Sequence, residues 1–352
     1  MSDLAFQPRP MTAAPDENEV FAMRPGIARV RRNHMTILVQ PDDGRSMRIS
    51  PVGAELVPLL AQGATLHELE SHLRRRFPAA SDVNFKLRQF LGQLVTAGFL
   101  GHAEATPIRR TTHRLVLFNP DPVARAIAAV LLGLPSFLRG LLLGVLLGAA
   151  GVALTALVLS PALPHPREIV TRFSWGGLAF LLLVLLPIHE LAHAVAARMA
   201  GIPVTSAGLL IHGLTPGPFV DTSGAYRVTD RRKRFWIPAV GPLVDLLCCA
   251  LAAGLLVFGP DWGLDPRVTS ALPFVFLGSA LLLTLNLNPI MPSDGSHMIE
   301  ALRDDELLRR SALSRRGAKM SRPMDVALYR ALASMFWQGL AVLLWFWWFH
   351  AA

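Results

Sequence analysis

Five long apolar runs, at about 141–160, 174–199, 236–258, 270–290 and 327–349, constrain this chain more than any other feature. Each is close to the roughly 20 residues that a helix needs to cross a bilayer. Lipid offers no partner to a bare N–H or C=O, so such runs must be helices that satisfy their backbone internally. The composition agrees: 52% of the residues are hydrophobic and only 17% charged, against about 25% charged in an average soluble domain. The net charge of +9 does not point to nucleic acid, because the arginines sit in short clusters between apolar runs. That layout is the positive-inside pattern of a membrane protein, with lipid as its surroundings. Cys248 and Cys249 are adjacent inside an apolar run. They make neither a disulfide framework nor a thiolate zinc site, and read as small packing residues.

The composition changes near residue 120. Residues 1–20 are polar and proline-bearing and read as a disordered leader, without the apolar core of a cleavable signal peptide. Residues 21–103 read as a folded soluble domain, 104–123 as a linker and 124–352 as the membrane domain. "HMTILVQ" and "GRSMRIS" flank "PDDG", which predicts a β-hairpin. "SPVGAELVPLLAQG", "TLHELESHLRRRF" and "SDVNFKLRQFLGQLVTAG" each open on a Ser or Thr and carry apolar residues at helical spacing. The expected fold is therefore a polytopic α-helical membrane protein of about five spans with a small N-terminal α+β, winged-helix-like domain. Residues 124–138 are amphipathic and are predicted to lie along the membrane surface.

Charge sets the orientation. The 201–235 connection carries Arg227, Arg231, Arg232, Lys233 and Arg234, and the 295–326 connection carries Arg303, Arg309, Arg310, Arg315, Arg316, Lys319 and Arg322. The alternate connections hold only Arg167, Arg172 and Arg267. The basic connections and the N-terminal domain are thus expected in the cytoplasm of a bacterial cell, and the C-terminus outside. If 124–160 were a helical hairpin instead of one span, that domain would change sides. Trp345, Trp347 and Trp348 fit an interfacial aromatic belt.

Within the second run stands "LLVLLPIHELAHAVAARMAG". Ionisable groups are costly in hydrocarbon, and there they mark a site. His189 and His193 are four apart, about 40° round a helix, so both imidazoles reach one metal ion. Glu190, one step round, is placed to take a proton from water without being a ligand. A similar string, "HELESH" at 67–72, spaces His67 and His72 by five among charged neighbours and reads as a solvated helix face. A catalytic zinc takes three protein ligands. The best third candidate is Asp294 in "NLNPIMPSDGSH", the only acidic residue near that end of its span, where Pro289 and Pro292 break the helix and Gly295 permits a turn.

"HELAH" followed by "NLNPIMPSDG" resembles the site-2 protease family of intramembrane zinc metalloproteases, over roughly residues 125–350. The resemblance implies one zinc ion held by His189, His193 and Asp294, Glu190 as general base, and Asn286 as hydrogen-bond donor to the scissile carbonyl. This chain departs from the family pattern at Met291 and Ser293, and has Asp245 in "GPLVD" where relatives usually carry asparagine. Asp245 is either a second acidic group at the site or a polar helix contact. "GLTPGPFVDTSGAY" (213–226) corresponds to segments that form small sheets, whose edge can pair with an unwound substrate. His212 and Asp221 there read as local structure.

Residues 24–100 resemble the PqqD-type peptide-recognition fold, on hydrophobic spacing plus Gly53, Gly63 and Gly98. That resemblance implies capture of the leader of a ribosomally made peptide as an added strand, with a zinc endopeptidase alongside to cut the precursor and an exporter or modifying enzyme as a possible partner. Two other readings stay open. One is a regulated protease acting on a membrane-anchored regulator, and the other a non-catalytic peptide chaperone or immunity protein. The oligomeric state is not legible.

Overall fold

The computed structural model describes residues 19–32, 35–40, 45–78, 82–101, 112–212, 215–222, 224–225, 228–314 and 321–350. The expected turn at 41–44, residues 1–18 of the expected leader, residues 102–111 around the expected linker, the N-cap position Ser81, and Arg227, Arg315, Arg316 and Lys319 lie outside the described residues. The chain divides into two compact units, Met1–Thr111 and Thr112–Ala352.

The first unit contains β1 (Val20–Met23), β2 (Ala28–Arg32), β3 (Met35–Gln40), β4 (Arg45–Ile49), α1 (Pro51–Gln62), β5 (Ala64–Thr65), α2 (Leu66–Arg76), α3 (Val83–Thr96) and β6 (Leu100–Gly101). The strands β3 and β4 pair antiparallel as the hairpin pattern predicts, with Leu38 opposite Met47, and β2 adds to the other side of β3. The strand β1 pairs with both β5 and β6. The helices α1 and α2 begin where the sequence supplies a side-chain partner for the first N–H groups, whereas Asp82 before α3 makes no such cap. The Ser50 hydroxyl accepts from the Gly53 N–H at 3.0 Å. Thr65 and Glu68 form a reciprocal capping box at α2. Glu68 of the "HELESH" string is thereby a helix cap, in keeping with the solvated-face reading. The apolar faces of the helices meet Phe21, Leu38 and Ile49 in one core with Leu60, Leu69 and Leu91. The unit is thus α+β, with two small sheets and three helices.

The second unit contains β7 (Thr112–Phe118), α4 (Asp121–Gly133), α5 (Ser136–Val158), α6 (Glu168–Thr171), α7 (Trp175–Phe180), α8 (Leu186–Met199), β8 (Ala207–His212), β9 (Thr215–Val220), α9 (Arg231–Phe258), α10 (Pro266–Leu287), α11 (Asp294–Arg303), α12 (Leu308–Leu313) and α13 (Pro323–His350). Among the described residues, five helical stretches are long and apolar enough to cross a membrane: Ser136–Val158, Trp175–Met199, Arg231–Trp262, Pro266–Leu287 and Pro323–Phe349. They are the five runs of the sequence with their ends moved by a few residues, and the protein is an integral membrane protein. The helix α5 is apolar all round and exposes most of its side chains, as a lipid-facing span does.

Between α7 and α8 the helix widens into a π turn, Leu181–Leu185. Pro187 has no N–H for the carbonyl four residues back, and its ring crowds that carbonyl. The wider turn relieves both faults, one turn before His189. The helix α9 packs against α5, α8, α10 and α11 and so forms the centre of the unit. Cys249 is buried beside Leu157, Ala253 and Phe276, which is the packing role expected of it.

The helix α4 covers most of the segment expected along the membrane surface. Its small residues Ala124 and Ala128 pack with Ala194 and Ala197 of α8, while Val123, Ile127 and Val130 on its outer side are also apolar and exposed. Asp121 fastens it: its carboxylate accepts from Arg198 and, at 3.0 Å, from the Val204 N–H. Arg234 is likewise no free surface charge. It is buried and pairs with Asp304, while also donating to the Val228 carbonyl at 2.6 Å.

After α10 the chain turns through Asn288–Ser293. The Tyr329 hydroxyl, at the start of α13, donates to the Pro289 carbonyl at 2.5 Å, and Arg303 pairs with Asp325. These contacts tie the turn to α11 and α13. The far end of α13 is pinned separately, where the Trp347 indole donates to the Pro164 carbonyl at 2.8 Å.

Candidate metal centre

The helix α8 carries His189 and His193 on one face, one turn apart, and their Nε2 atoms lie 3.1 Å from each other. The turn after α10 brings in Asp294, whose Oδ2 is 3.3 Å from both Nε2 atoms. Donors at about 2.05 Å around a tetrahedral ion stand about 3.3 Å apart, so the three atoms form the base of a zinc site and leave one position open. Among the described residues this is the one group of three such side chains able to hold a metal ion. Both imidazoles are buried. To act as a ligand Asp294 must be ionised and each imidazole neutral, with its Nε2 lone pair free.

Asp294 is aimed by its local sequence. The helix α10 stops at Leu287, as Pro289 and Pro292 require, and Ser293 begins α11 by accepting from the Ser296 N–H. Serine at 293 thus has a capping task that a leucine could not perform. Gly295 is not in a turn conformation, contrary to expectation. It lies in the first turn of α11, where an added Cβ would come 2.5 Å from the Leu287 carbonyl oxygen. Glycine is needed there for close approach of two backbones.

The other nitrogen of each imidazole is also held, and both holders come from α9. His193 Nδ1 donates to the Ile237 carbonyl at 2.7 Å, and His189 Nδ1 lies 3.0 Å from Asp245 Oδ1. With both Nδ1 atoms engaged as donors, the Nε2 lone pairs face inward. Between Ile237 and Asp245 stands Gly241, where an added Cβ would come 2.4 Å from His193 Nε2 and 2.5 Å from His189 Nε2. Positions 237, 241 and 245 recur every four residues and so share one face of α9. Pro238 and Pro242, flanking Gly241, remove two N–H groups from the helical ladder at this level.

Asn286 is brought to Asp245 and donates to its Oδ2 at 2.8 Å. The alternatives left open for Asp245 thus both apply, since it is an acidic group beside the site and a helix contact. Glu190 lies outside the donor triangle, on the same helix α8. Of the two residues read as local structure, the side chain of His212 is outside the described set, and Asp221 gives its N–H to the Ser206 carbonyl at 2.9 Å.

That last bond fixes the facing of β9, which pairs with β8 in the sheet β7-β8-β9. Odd-numbered residues turn their backbone toward β8, and even-numbered ones turn it to the outer edge. Pro216 and Pro218 therefore stand on the outer edge, without N–H groups. Over residues 216–218 this outer edge offers carbonyl oxygens and no N–H.

Comparison with known proteins bears on the same segment. Residues 177–261 match the family model "Peptidase family M50". The chain is 31% identical over 137 residues to "Putative zinc metalloprotease Rip3" of Mycobacterium tuberculosis, covering 39% of this chain and 33% of that protein. It is 38% identical over 78 residues to "Uncharacterized protein MJ0971" of Methanocaldococcus jannaschii, covering 22% of this chain and 21% of that protein. The chain thus spans about a fifth to a third of the length of these relatives. No solved structure matches it significantly. The family segment holds His189, Glu190, His193, Gly241 and Asp245, while Asn286 and Asp294 fall beyond it. Residues 177–261 are thus similar to the M50 peptidase family, and the donor triangle, of which this segment carries the two histidines, offers a place for one zinc ion.

Proposed function

We propose that this protein is a membrane-embedded zinc endopeptidase that matures a ribosomally made precursor peptide. The N-terminal unit captures the leader and the membrane unit cuts a peptide bond near the cytoplasmic membrane face. The observation that carries the hydrolytic part is Glu190, placed beside the three donor atoms and committed to none of them. Zinc, when bound, supplies Lewis acidity to a water and to the scissile carbonyl. Glu190 takes the proton of the attacking water and returns it to the leaving amine. Asn286 commits one N–H to Asp245, and its second N–H serves the developing oxyanion. The carbonyls of Pro216 and Pro218 receive N–H groups of an extended substrate.

The leader-capture part is supported by the three-stranded sheet β2-β3-β4, which leaves one side of β2 without a strand among the described residues, and by Arg29 and Arg31 exposed along it. A leader held there raises the concentration of the attached precursor at the protease, into the mM range for a short flexible linker. The basic connections support placement of this unit on the cytoplasmic side of a bacterial membrane, where an exporter or modifying enzyme has access to it.

The test uses the full chain in detergent with short precursor peptides encoded beside its gene. Cleavage should require zinc and stop with chelator. Glu190→Gln should still bind zinc and leader while losing cleavage. Cleavage by Glu190→Gln at the parental rate would refute the base assignment, and failure of every such precursor to bind would refute leader capture.

A further inference from the structure

The strand β7 breaks the ordinary rule for a sheet edge. Leu115, Val116, Leu117 and Phe118 follow one another along it, and each is between 54% and 60% exposed. Leu115 and Val116, which precede a shift in register, point to opposite faces of the strand, so β7 is apolar on both. Among the described residues it pairs with β8 alone, and its other edge carries no strand. An apolar edge of this kind in water is a template for aggregation. The helix α4 starts two residues further on and continues the apolar surface with Val123, Ile127 and Val130, all exposed on its outer side. After Gly133 only Leu134 and Pro135 separate α4 from the span α5, which exposes Phe137, Leu141 and Val145.

We propose that β7 and the outer face of α4 dock into the boundary between lipid headgroups and acyl chains, as a shallow in-plane platform outside the five spans. The platform is continuous with the lipid-facing surface of α5. Both ends of α4 are also held at one membrane face. Asp121 accepts from Arg198 in the last turn of α8, and Gly133 leads to the start of α5. Successive spans cross in opposite directions, so α5 starts on the face where α8 ends, and α4 runs along that face without crossing. Charge agrees with lipid. Arg125 and Arg198 share the single carboxylate of Asp121, two cations against one anion, and Arg139 donates to the Leu131 carbonyl at the other end. Cations thus rim the apolar face, as they do on helices lying in an anionic lipid surface. A strand from a second copy would cover the edge of β7 and leave both its faces and α4 bare. The open edge also limits the depth, because its N–H and C=O groups cannot be left in hydrocarbon. They stay at the headgroups, where water reaches them, while the side chains extend about 5–10 Å inward. Since β7 shares its sheet with β8 and β9, the docked platform seats that whole sheet at the membrane face.

The experiment places single nitroxide labels on the full chain, with Cys248 and Cys249 replaced by alanine, in vesicles of phosphatidylcholine and phosphatidylglycerol. Val116→Cys reports on β7 and Val130→Cys on α4. Leu147→Cys, in the middle of α5, is the lipid reference, and Arg232→Cys, exposed at the start of α9, is the water reference. Collisions are measured with oxygen, which concentrates in lipid, and with a nickel chelate, which stays in water. The labels at 116 and 130 should meet oxygen several-fold more often than the label at 232, and the chelate several-fold less often. Their depth should be shallower than that of the label at 147. Phe118→Cys and Val123→Cys replace either site if its label lowers the unfolding midpoint. Chelate collisions at 116 or 130 as frequent as at 232 would overturn the proposal, because the face would then lie in water. Exclusion of both probes from 116 would overturn it in favour of a covering protein segment, from the first unit or from a second copy. A depth at 116 equal to that at 147 would overturn it as well, since the open edge would then lie in hydrocarbon.

Discussion

Replacing Gly241 by alanine should abolish tight metal binding while the helix around it survives. The added Cβ would stand 2.4 Å from His193 Nε2, 2.5 Å from His189 Nε2 and 2.6 Å from His189 Cε1, where ordinary contact begins at 3.4 Å. The rings would have to retreat by about 1 Å, whereas metal donors tolerate displacements of about 0.2 Å. Retreat is also resisted from behind, because each ring is tied through Nδ1 to Ile237 or Asp245. We expect an overpacking cost of about 1–3 kcal/mol in the folded state and at least about a 100-fold loss in activity from the misplaced ligands. Zinc content after dialysis against a weak chelator, measured by elemental analysis, reads the effect directly. Gly254→Ala on the same helix is the control, since its Cβ would meet Ala153 at an ordinary 3.7 Å, and it should keep one zinc. If Gly241→Ala retained stoichiometric zinc with parental affinity, the close approach of α9 to the imidazoles would be wrong.

Further expectations follow from the supports of the site. Tyr329→Phe removes the donor to the Pro289 carbonyl and should cost about 1 kcal/mol, with a few-fold loss of zinc affinity that chelator competition would show. Asp121→Ala should lower the unfolding midpoint by releasing α4 from Arg198. The same contact should weaken in acid: the Arg198 bond, first, and the Val204 N–H hold the Asp121 carboxyl well below its ordinary range. Its contribution is then fully present above pH about 4 and lost as pH falls through the depressed folded value, so the parental midpoint should drop there and that of Asp121→Ala should drop less. Thr65→Ala should destabilise the first unit by about 1 kcal/mol through loss of the α2 cap and leave zinc binding untouched. Zinc affinity itself should decline as pH falls, because an imidazole must give up its proton to bind the metal.

The histidine pair and Glu190 were legible because one helix carries all three, and helical spacing alone settles which way they face. Asp294 was legible because prolines mark the end of its span and no other acidic group competes there. The support behind the imidazoles was not. Asp245 could be seen as acidic and near, but its partners come from two other helices and depend on how those helices cross. Ile237 contributes a backbone carbonyl, to which its side chain gives no clue. Gly241 was visible as a glycine in an apolar helix, and only the packing of α9 against α8 shows what its missing Cβ makes room for.

The prolines of β9 carry a consequence for how the protein lives among its own copies. Two such margins would meet at 216 and 218 with oxygens alone, which disfavours pairing between copies, while those oxygens would suit a strand that brings its own amide hydrogens.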